Sequence, residues 1–347
     1  MWTPMPPSVA KLHEHGLLGD RAPNLAATPK DTVFIDGTAS LYHFRPQVAT
    51  SGQTNASTAA APVLVVPSLI NRWFVVDLRP GFSLCEALVQ AGLDTWCLDW
   101  GVPEAEDRYI TWDDLIDRLD RMVRRVQRET GAPRVSLLGY CIGGTLCAVE
   151  TALHPERIAG LINLAGPFDF SKIGKLGQMT QPAWFDGDAI AAAGNMGASE
   201  MHAGFQALRP TASISKWIQL ADKSHDSRAV ESFLALEAWA SDNIPFPAAA
   251  YGVWIRDFYQ GNKLIAGEHR VHGRQVDLKA ITCPVLTVVT ERDEICPPLA
   301  AKGLQSCVSS QDCQTLTVPG GHVGAVIGRM AKVHLYPQMA AWLLEKS

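Results

Sequence analysis

The chain of 347 residues carries 30 Lys+Arg against 35 Asp+Glu, a formal net charge of −5, with 47% hydrophobic and 19% charged residues. These proportions belong to a soluble globular protein and exclude extensive disorder, a fibrous repeat and the global basic field of a nucleic-acid binder. No apolar run reaches the ~18 residues that a bilayer span needs, and at ~150 residues per domain the length allows either two domains or one large α/β domain with an insertion.

Residues 1–30 contain prolines and little pattern, which predicts an arm laid over the body; residues 1–16 lack an apolar h-region, so no secretory signal is expected. VFIDGTASLYHF (33–44) predicts two short strands about an Asp36-Gly37 turn, and residues 47–61, small and uncharged, predict a loop. VLVVPSL (63–69) is a β-branched run suited to a strand buried on both faces. From there the chain alternates: a helix at 83–92, a strand at 94–100, and an amphipathic helix at 113–129 whose early acidic and later basic residues suit the helix dipole. A strand follows at 135–140, a helix at 143–154 and a strand at 158–166; after a gap come a strand at 284–291, a helix near 298–308, a strand at 314–320 and a C-terminal helix. Strands alternating with helices predict a mostly parallel, doubly wound α/β sheet. The gap, rich in Trp, Phe, Met and Ala, predicts a helical cap over the carboxyl ends of the strands, where open α/β sheets bind ligands. The expected division is an arm with the first strands (1–60), a first core segment (61–170), a cap insertion (171–270) and a second core segment (271–347).

The most informative stretch is Gly139-Tyr140-Cys141-Ile142-Gly143-Gly144, which joins a strand to a helix with no loop between them. A G-x-nucleophile-x-G turn needs small residues on either side of a strained backbone, and it aims the helix N-terminus at the side chain. That field favours thiolate at Cys141, and the Ile142 amide faces a developing oxyanion. Two partners follow in chain order: Asp293 after the strand PVLTVVTE, and His322 in the glycine-flanked loop after QTLTVPG. The order nucleophile, acid, histidine resembles the α/β-hydrolase fold, with His322 as base and Asp293 fixing its tautomer. Of the eight cysteines, the other seven (Cys85, Cys97, Cys147, Cys283, Cys296, Cys307 and Cys313) are expected to be reduced packing residues in a cytoplasmic setting. The absence of CxxC and of paired His spacing gives no indication of a metal site.

Several segments together resemble the polyhydroxyalkanoate synthase family: LVVPSLINRWFVVDLRPGFSL (64–84), DWGVPEAEDR (99–108), GYCIGGT (139–145), DFYQGNKLIAGEHRVHGRQVDLKAITCPVL (257–286), ERDEICPP (291–298) and GGHVGAVIG (320–328). The chain's length resembles the short synthases that work with a second subunit. The resemblance implies a Cys141, Asp293, His322 triad, an oxyanion site from the Ile142 amide and that of Leu69 in the Ser68-Leu69-Ile70 loop, and no cofactor, coenzyme A being part of the substrate. It implies 3-hydroxyacyl-CoA and a growing polyester as partners, a homodimer or a complex with a second synthase subunit, and a cytoplasmic location extending to the polyester granule surface. Departures from the family pattern are Glu294, where many synthases have histidine, Gly166-Pro167 in place of Thr-Pro, and a weak match over 175–200.

A hydroxyacyl-CoA is already a thioester, so attack by a cysteine is nearly thermoneutral and transfer to an alcohol then runs downhill; cysteine suits an acyltransferase that spares water. The aromatics Trp184, Phe185, Trp217, Phe233, Trp239, Trp254 and Phe258 are expected to keep water out or to form ordinary cap core. Arg72 and Arg79 are candidates for the CoA phosphates. The alternative activities are a Cys-nucleophile hydrolase (thioesterase, esterase or polyester depolymerase) and an inactive granule or scaffold subunit.

Overall fold

The apolar runs assemble into one eight-stranded sheet: β1 (Lys30–Asp36), β2 (Ala39–Phe44), β3 (Val63–Val66), β4 (Thr95–Asp99), β5 (Val135–Tyr140), β6 (Ile158–Leu164), β7 (Val285–Thr290) and β8 (Cys313–Val318). This computed structural model describes residues 23–46, 60–208 and 225–346, with positions 216, 220 and 222. The spatial order is β1-β2-β4-β3-β5-β6-β7-β8. From β4 to β8 all neighbours are parallel, and only the β1–β2 hairpin adds antiparallel pairs. Gly37, at φ 61, makes the expected hairpin turn. The chain leaves β3 to one side for β4 and returns on the other side for β5. The carboxyl ends of β3 and β5 therefore form the switch point where an open α/β sheet has its natural crevice.

Alternation along β3 divides the core. Leu64 and Val66 pack on one face of the sheet with Leu119 and Leu146, while Val63 and Val65 pack on the other with Leu88 and Leu343. Every residue of β5 and β6 is buried, as continuous apolar runs covered on both faces require. Helix α1 (Leu84–Gln90) starts at Ser83, whose hydroxyl accepts from the Glu86 amide. Helix α2 (Trp112–Thr130) opens on a reciprocal Thr111–Asp114 capping box and stops at Gly131, at φ 71. Helix α3 (Ile142–Leu153) is buried along its whole length.

Between β6 and β7 lie α4 (Lys175–Met179), α5 (Gly187–Ala193), α6 (Ala198–Leu208), α7 (Ser227–Ala240), α8 (Ala248–Val253), which continues as a π-helical segment Trp254–Gln260, and α9 (Lys263–Ala266). After β7 come α10 (Pro298–Lys302), α11 (Gly324–Ile327) and α12 (Tyr336–Lys346). The single helix expected near 298–308 is instead α10 followed by a 3-10 turn, Gly303–Ser306. Residues 73–82, to which periodicity assigns no element, form a 3-10 turn (Trp73–Val76) and, with Ser83 from the expected start of the next helix, a two-stranded ribbon (Asp77–Arg79 with Phe82–Ser83). The expected arm is described from residue 23 onward, where Thr28 Oγ1 donates to Asp77 at 2.5 Å; the expected loop at 47–61 lies outside the described residues as far as 59. Among the described residues no helix is long and apolar enough to cross a membrane.

Candidate active site at the strand switch point

Cys141 is the single residue between β5 and α3, held at φ 57, ψ −132. A non-glycine residue there carries strain of roughly 1–3 kcal/mol, which the surrounding structure must overdetermine. The restraints are visible. The Cys141 amide donates to Leu164 O at 2.9 Å, and the Gly144 amide donates back to Cys141 O at 2.8 Å. A Cβ on Gly139 would lie 2.4 Å from Gly143 O, and one on Gly143 would lie 2.1 Å from Val66 O. The glycines therefore let the helix sit directly on the strand ends, as the G-x-C-x-G reading requires.

His322 lies in the loop after β8, where Gly320 takes φ 122. Its Nδ1 is 2.8 Å from Asp293 Oδ2. Asp293, in the loop after β7, is itself fixed: Oδ2 also accepts from Thr290 Oγ1 at 2.9 Å, while Oδ1 accepts from the amides of Ile295 and Cys296 at 3.0 and 2.8 Å. Burial would raise this carboxyl, but the His322 charge, its hydrogen bond and the other donors outweigh burial and lower it below the ordinary range. For His322 burial again opposes the charge, yet the opposing charges of Cys141 and then Asp293, with their hydrogen bonds, raise the imidazole to about 10. The ring leans on Tyr140, with centroids 5.3 Å apart.

With Nδ1–H given to Asp293, Nε2 is the nitrogen left to hold or release the proton exchanged with Cys141. Nε2 is buried without a well-aligned hydrogen bond among the described residues, and Cys141 is the group whose charge raises the ring most. The three predicted side chains thus come together beyond the carboxyl ends of three strands, β5, β7 and β8. The Ile142 amide opens α3, where no intrahelical acceptor exists. In the loop after β3 the Leu69 amide has no hydrogen-bond partner among the described residues, whereas the Ile70 amide is used by Ser68 Oγ at 3.1 Å.

Cys141 and His322 open on a cavity of about 170 Å³. Cys141, His322, Ser68 and Asn71 line it from the sheet side, and His202, Trp239 and Asn243 from the inserted helices. His202 and Asn243 were not anticipated, because neither lies in a motif and only the chain's return over the switch point brings them there. Of the aromatics expected to exclude water, Trp239 lines this cavity. Trp254 and Phe258 instead pack on Trp112, with Trp254 stacked at 5.4 Å, and Trp184 is 70% exposed. Phe185 and Phe233 are partly buried, and Trp217 lies outside the described residues. Arg72 pairs with Asp242 at 3.8 Å, and Arg79 donates to Ser232 while lying over the Phe82 ring.

All eight cysteines are free. Cys85, Cys97, Cys147 and Cys296 are buried packing residues, and burial pushes the half-buried Cys283 up to about 12. Cys313 departs from the packing expectation: it opens β8, an edge strand with an outward face, and is exposed. Among the described residues one group brings three metal-ligating side chains within 4.8 Å, namely Asp120, Glu150 and His154. Its cations are already present in the chain, since Arg124 and Arg157 each bond an Asp120 oxygen.

Residues 61–324 match the family model described as alpha/beta hydrolase fold. The chain is 32% identical over 337 residues to the poly(3-hydroxyalkanoate) polymerase subunit PhaC of Allochromatium vinosum, covering 95% of this chain and 92% of that one. It is 30% identical over 328 residues to the subunit of the same name from Synechocystis sp., covering 92% and 85% respectively. Among solved structures, a soluble variant of monoglyceride lipase from Saccharomyces cerevisiae superposes with a TM-score of 0.56 at 14% identity, covering 95% of this chain and 98% of that one, a likeness of fold.

Proposed function

The chain belongs to the α/β-hydrolase fold family and, within it, to the poly(3-hydroxyalkanoate) polymerase subunits, and from that membership we propose that it polymerises 3-hydroxyacyl-CoA through an acyl-enzyme on Cys141. The observation that supports the reading is the buried His322–Asp293 pair, 2.8 Å apart, with His322 lining the same cavity as Cys141. His322 takes the thiol proton, and the Cys141 sulfur attacks the thioester carbonyl. The amides of Ile142 and Leu69 hold the tetrahedral oxyanion. The carbon–sulfur bond to coenzyme A then breaks, and the imidazolium returns the proton to the departing thiolate. In the second half-reaction His322 removes the hydroxyl proton of the next acyl unit and its oxygen attacks the acyl-Cys141; the ester forms as the carbon–sulfur bond breaks, and the imidazolium returns the proton to the departing Cys141 sulfur.

The energetics favour this division of labour. Exchange of one thioester for another is nearly neutral, so the fall to an oxygen ester is held for the chain-lengthening step. Water competes for the same acyl-enzyme, and the largely apolar lining of the cavity, Trp239 among it, disfavours water there. Neither half-reaction changes an oxidation state, and we assign no resident cofactor; coenzyme A arrives and leaves with the substrate. We further propose that the chain acts as a homodimer or with a second synthase subunit, in the cytoplasm and at the surface of its polyester granule.

The test is purified protein with 3-hydroxybutyryl-CoA, following thiol release and turbidity together. The reading expects both signals to rise, and both to vanish in Cys141→Ala. Thiol release accompanied by soluble hydroxyacid and no polyester would replace polymerisation with hydrolysis. Unchanged thiol release in Cys141→Ala would remove the nucleophile.

A further inference from the structure

The Leu69 amide lies in a short irregular loop, residues 67–72, and its usefulness to an oxyanion depends on where that loop is held. On the sheet side two contacts fix its beginning: Trp100 Nε1 donates to Pro67 O at 3.0 Å, and the carbonyls of Val66 and Pro67 rest on Gly143. The end of the loop packs Leu69 and Ile70 into the core but takes its hydrogen bonds from the inserted segment. Asn71 pairs with Asn243, just beyond α7, as an isolated antiparallel bridge, and the Ile244 amide donates to Ile70 O at 3.3 Å. Trp239 Nε1 donates to Arg72 O at 2.9 Å. The loop is thus suspended between the elbow and the inserted helices.

The side chains continue this link inward. Asn71 Nδ2 donates to Asn243 Oδ1. Asn243 Nδ2 in turn donates to His202 Nδ1 at 2.9 Å, and His202 Nε2 lies 2.7 Å from the Gln206 side-chain amide. A neutral imidazole has one donor and one acceptor. Since Nδ1 accepts from Asn243, Nε2 carries the hydrogen, and Gln206 must turn its carbonyl oxygen toward it. The four groups then form one directional chain, Asn71 to Asn243 to His202 to Gln206, running from the loop into α6. Asn243 is the joint, since its oxygen serves the loop and its nitrogen serves the helix. Asn71, Asn243 and His202 all border the cavity that contains Cys141.

We propose that Asn243, oriented by His202, is a positioning residue for the acyl-transfer reaction: it holds the Asn71 end of the loop so that the Leu69 amide meets the oxyanion only when the inserted helices are seated over Cys141. This rests on the polymerase reading above. The coupling makes acyl transfer depend on the same closure that excludes water, because an unseated α6–α7 leaves the oxyanion site incomplete. A misplacement of about 1 Å in such a group costs up to ~100-fold in rate.

The test compares Asn243→Ala with Asn243→Asp, which keeps an acceptor for Asn71, and with Asn71→Ala and the Asn71→Ala/Asn243→Ala double variant. Two rates are read: turnover of 3-hydroxybutyryl-CoA, and alkylation of Cys141 by iodoacetamide, which develops no oxyanion. The expected result for Asn243→Ala is a kcat lowered roughly 10- to 100-fold with KM little changed and the alkylation rate preserved. Asn243→Asp recovers much of the loss, and the double variant is no worse than the poorer single, as coupled residues require. Full kcat in Asn243→Ala, a change in KM alone, additive losses in the double variant, or alkylation and turnover falling together would each overturn the proposal. Failure of the underlying reading has a different signature: wild-type protein that forms no polyester, or that turns over equally well as Cys141→Ala.

Discussion

Cys141 stands apart from the other seven cysteines in its backbone, not only in its neighbours. At φ 57 it occupies a conformation its Cβ resists, and the elbow holds it there with glycines on both sides. Substitution of Asp293 by Asn would remove a charge and invert the hydrogen bond that fixes the His322 tautomer. The expected result is a kcat lower by roughly 10²–10⁴-fold. The same change lowers the imidazole from its raised position near 10, so the alkaline limb of the rate profile moves to lower pH; a limb that stays in place would show that Asp293 does not act on the ring. Alkylation by iodoacetamide should be fastest at Cys141, measured in a Cys313→Ser background because Cys313 is exposed and reacts on its own account. These three side chains were legible as candidates because each follows an apolar strand run and is bounded by glycine or a turn. The environment of Cys313 was not legible, since nothing local distinguishes an edge strand from a central one.

At the scale of elements, the decisive contact is between the start of α3 and the loop after β3. A Gly143→Ala variant would drive a methyl against Val66 O, and either the loop or the helix must move. Activity should fall at least tenfold, while Gly131→Ala, with nothing within 4 Å of its added carbon but at φ 71, should cost stability of about 1 kcal/mol and leave turnover intact. Comparison of kcat with the urea midpoint in the two variants separates these effects. The long buried strands and the capped helix α2 follow from periodicity and local chemistry, which is why their limits were foreseen within a residue or two. The ribbon at Asp77–Arg79 and Phe82–Ser83 was not, because two- and three-residue strands are set by what packs over them. The same holds for Trp254 and Phe258: composition marks them as apolar, but only tertiary structure shows that they serve Trp112 rather than the cavity.

For the whole molecule, strand order places the candidate site: the reversal between β3 and β5 opens the crevice that the elbow, the loop after β3 and the returning helices share. Farther along α3, Glu150 is fully buried with neither oxygen hydrogen-bonded among the described residues, and burial, with Asp120 nearby, pushes its carboxyl up to about 8. An unfolded Glu titrates near ~4.3. The folded state therefore holds this proton longer, and its contribution to stability, complete below about 4.3, is lost as pH climbs toward 8. Glu150→Gln should flatten that decline and exceed the wild type at pH ~8 by on the order of 1–3 kcal/mol, as urea unfolding at two pH values would reveal; an advantage independent of pH would contradict it. The central claim is that Cys141 carries the acyl group. Its most direct measurement is peptide mass analysis of the protein quenched during turnover of 3-hydroxybutyryl-CoA. The account predicts hydroxybutyryl mass increments, singly and in oligomeric series, on the peptide containing Cys141 and no adduct in Cys141→Ala; turnover with no adduct at Cys141, or adducts on another residue, would contradict it.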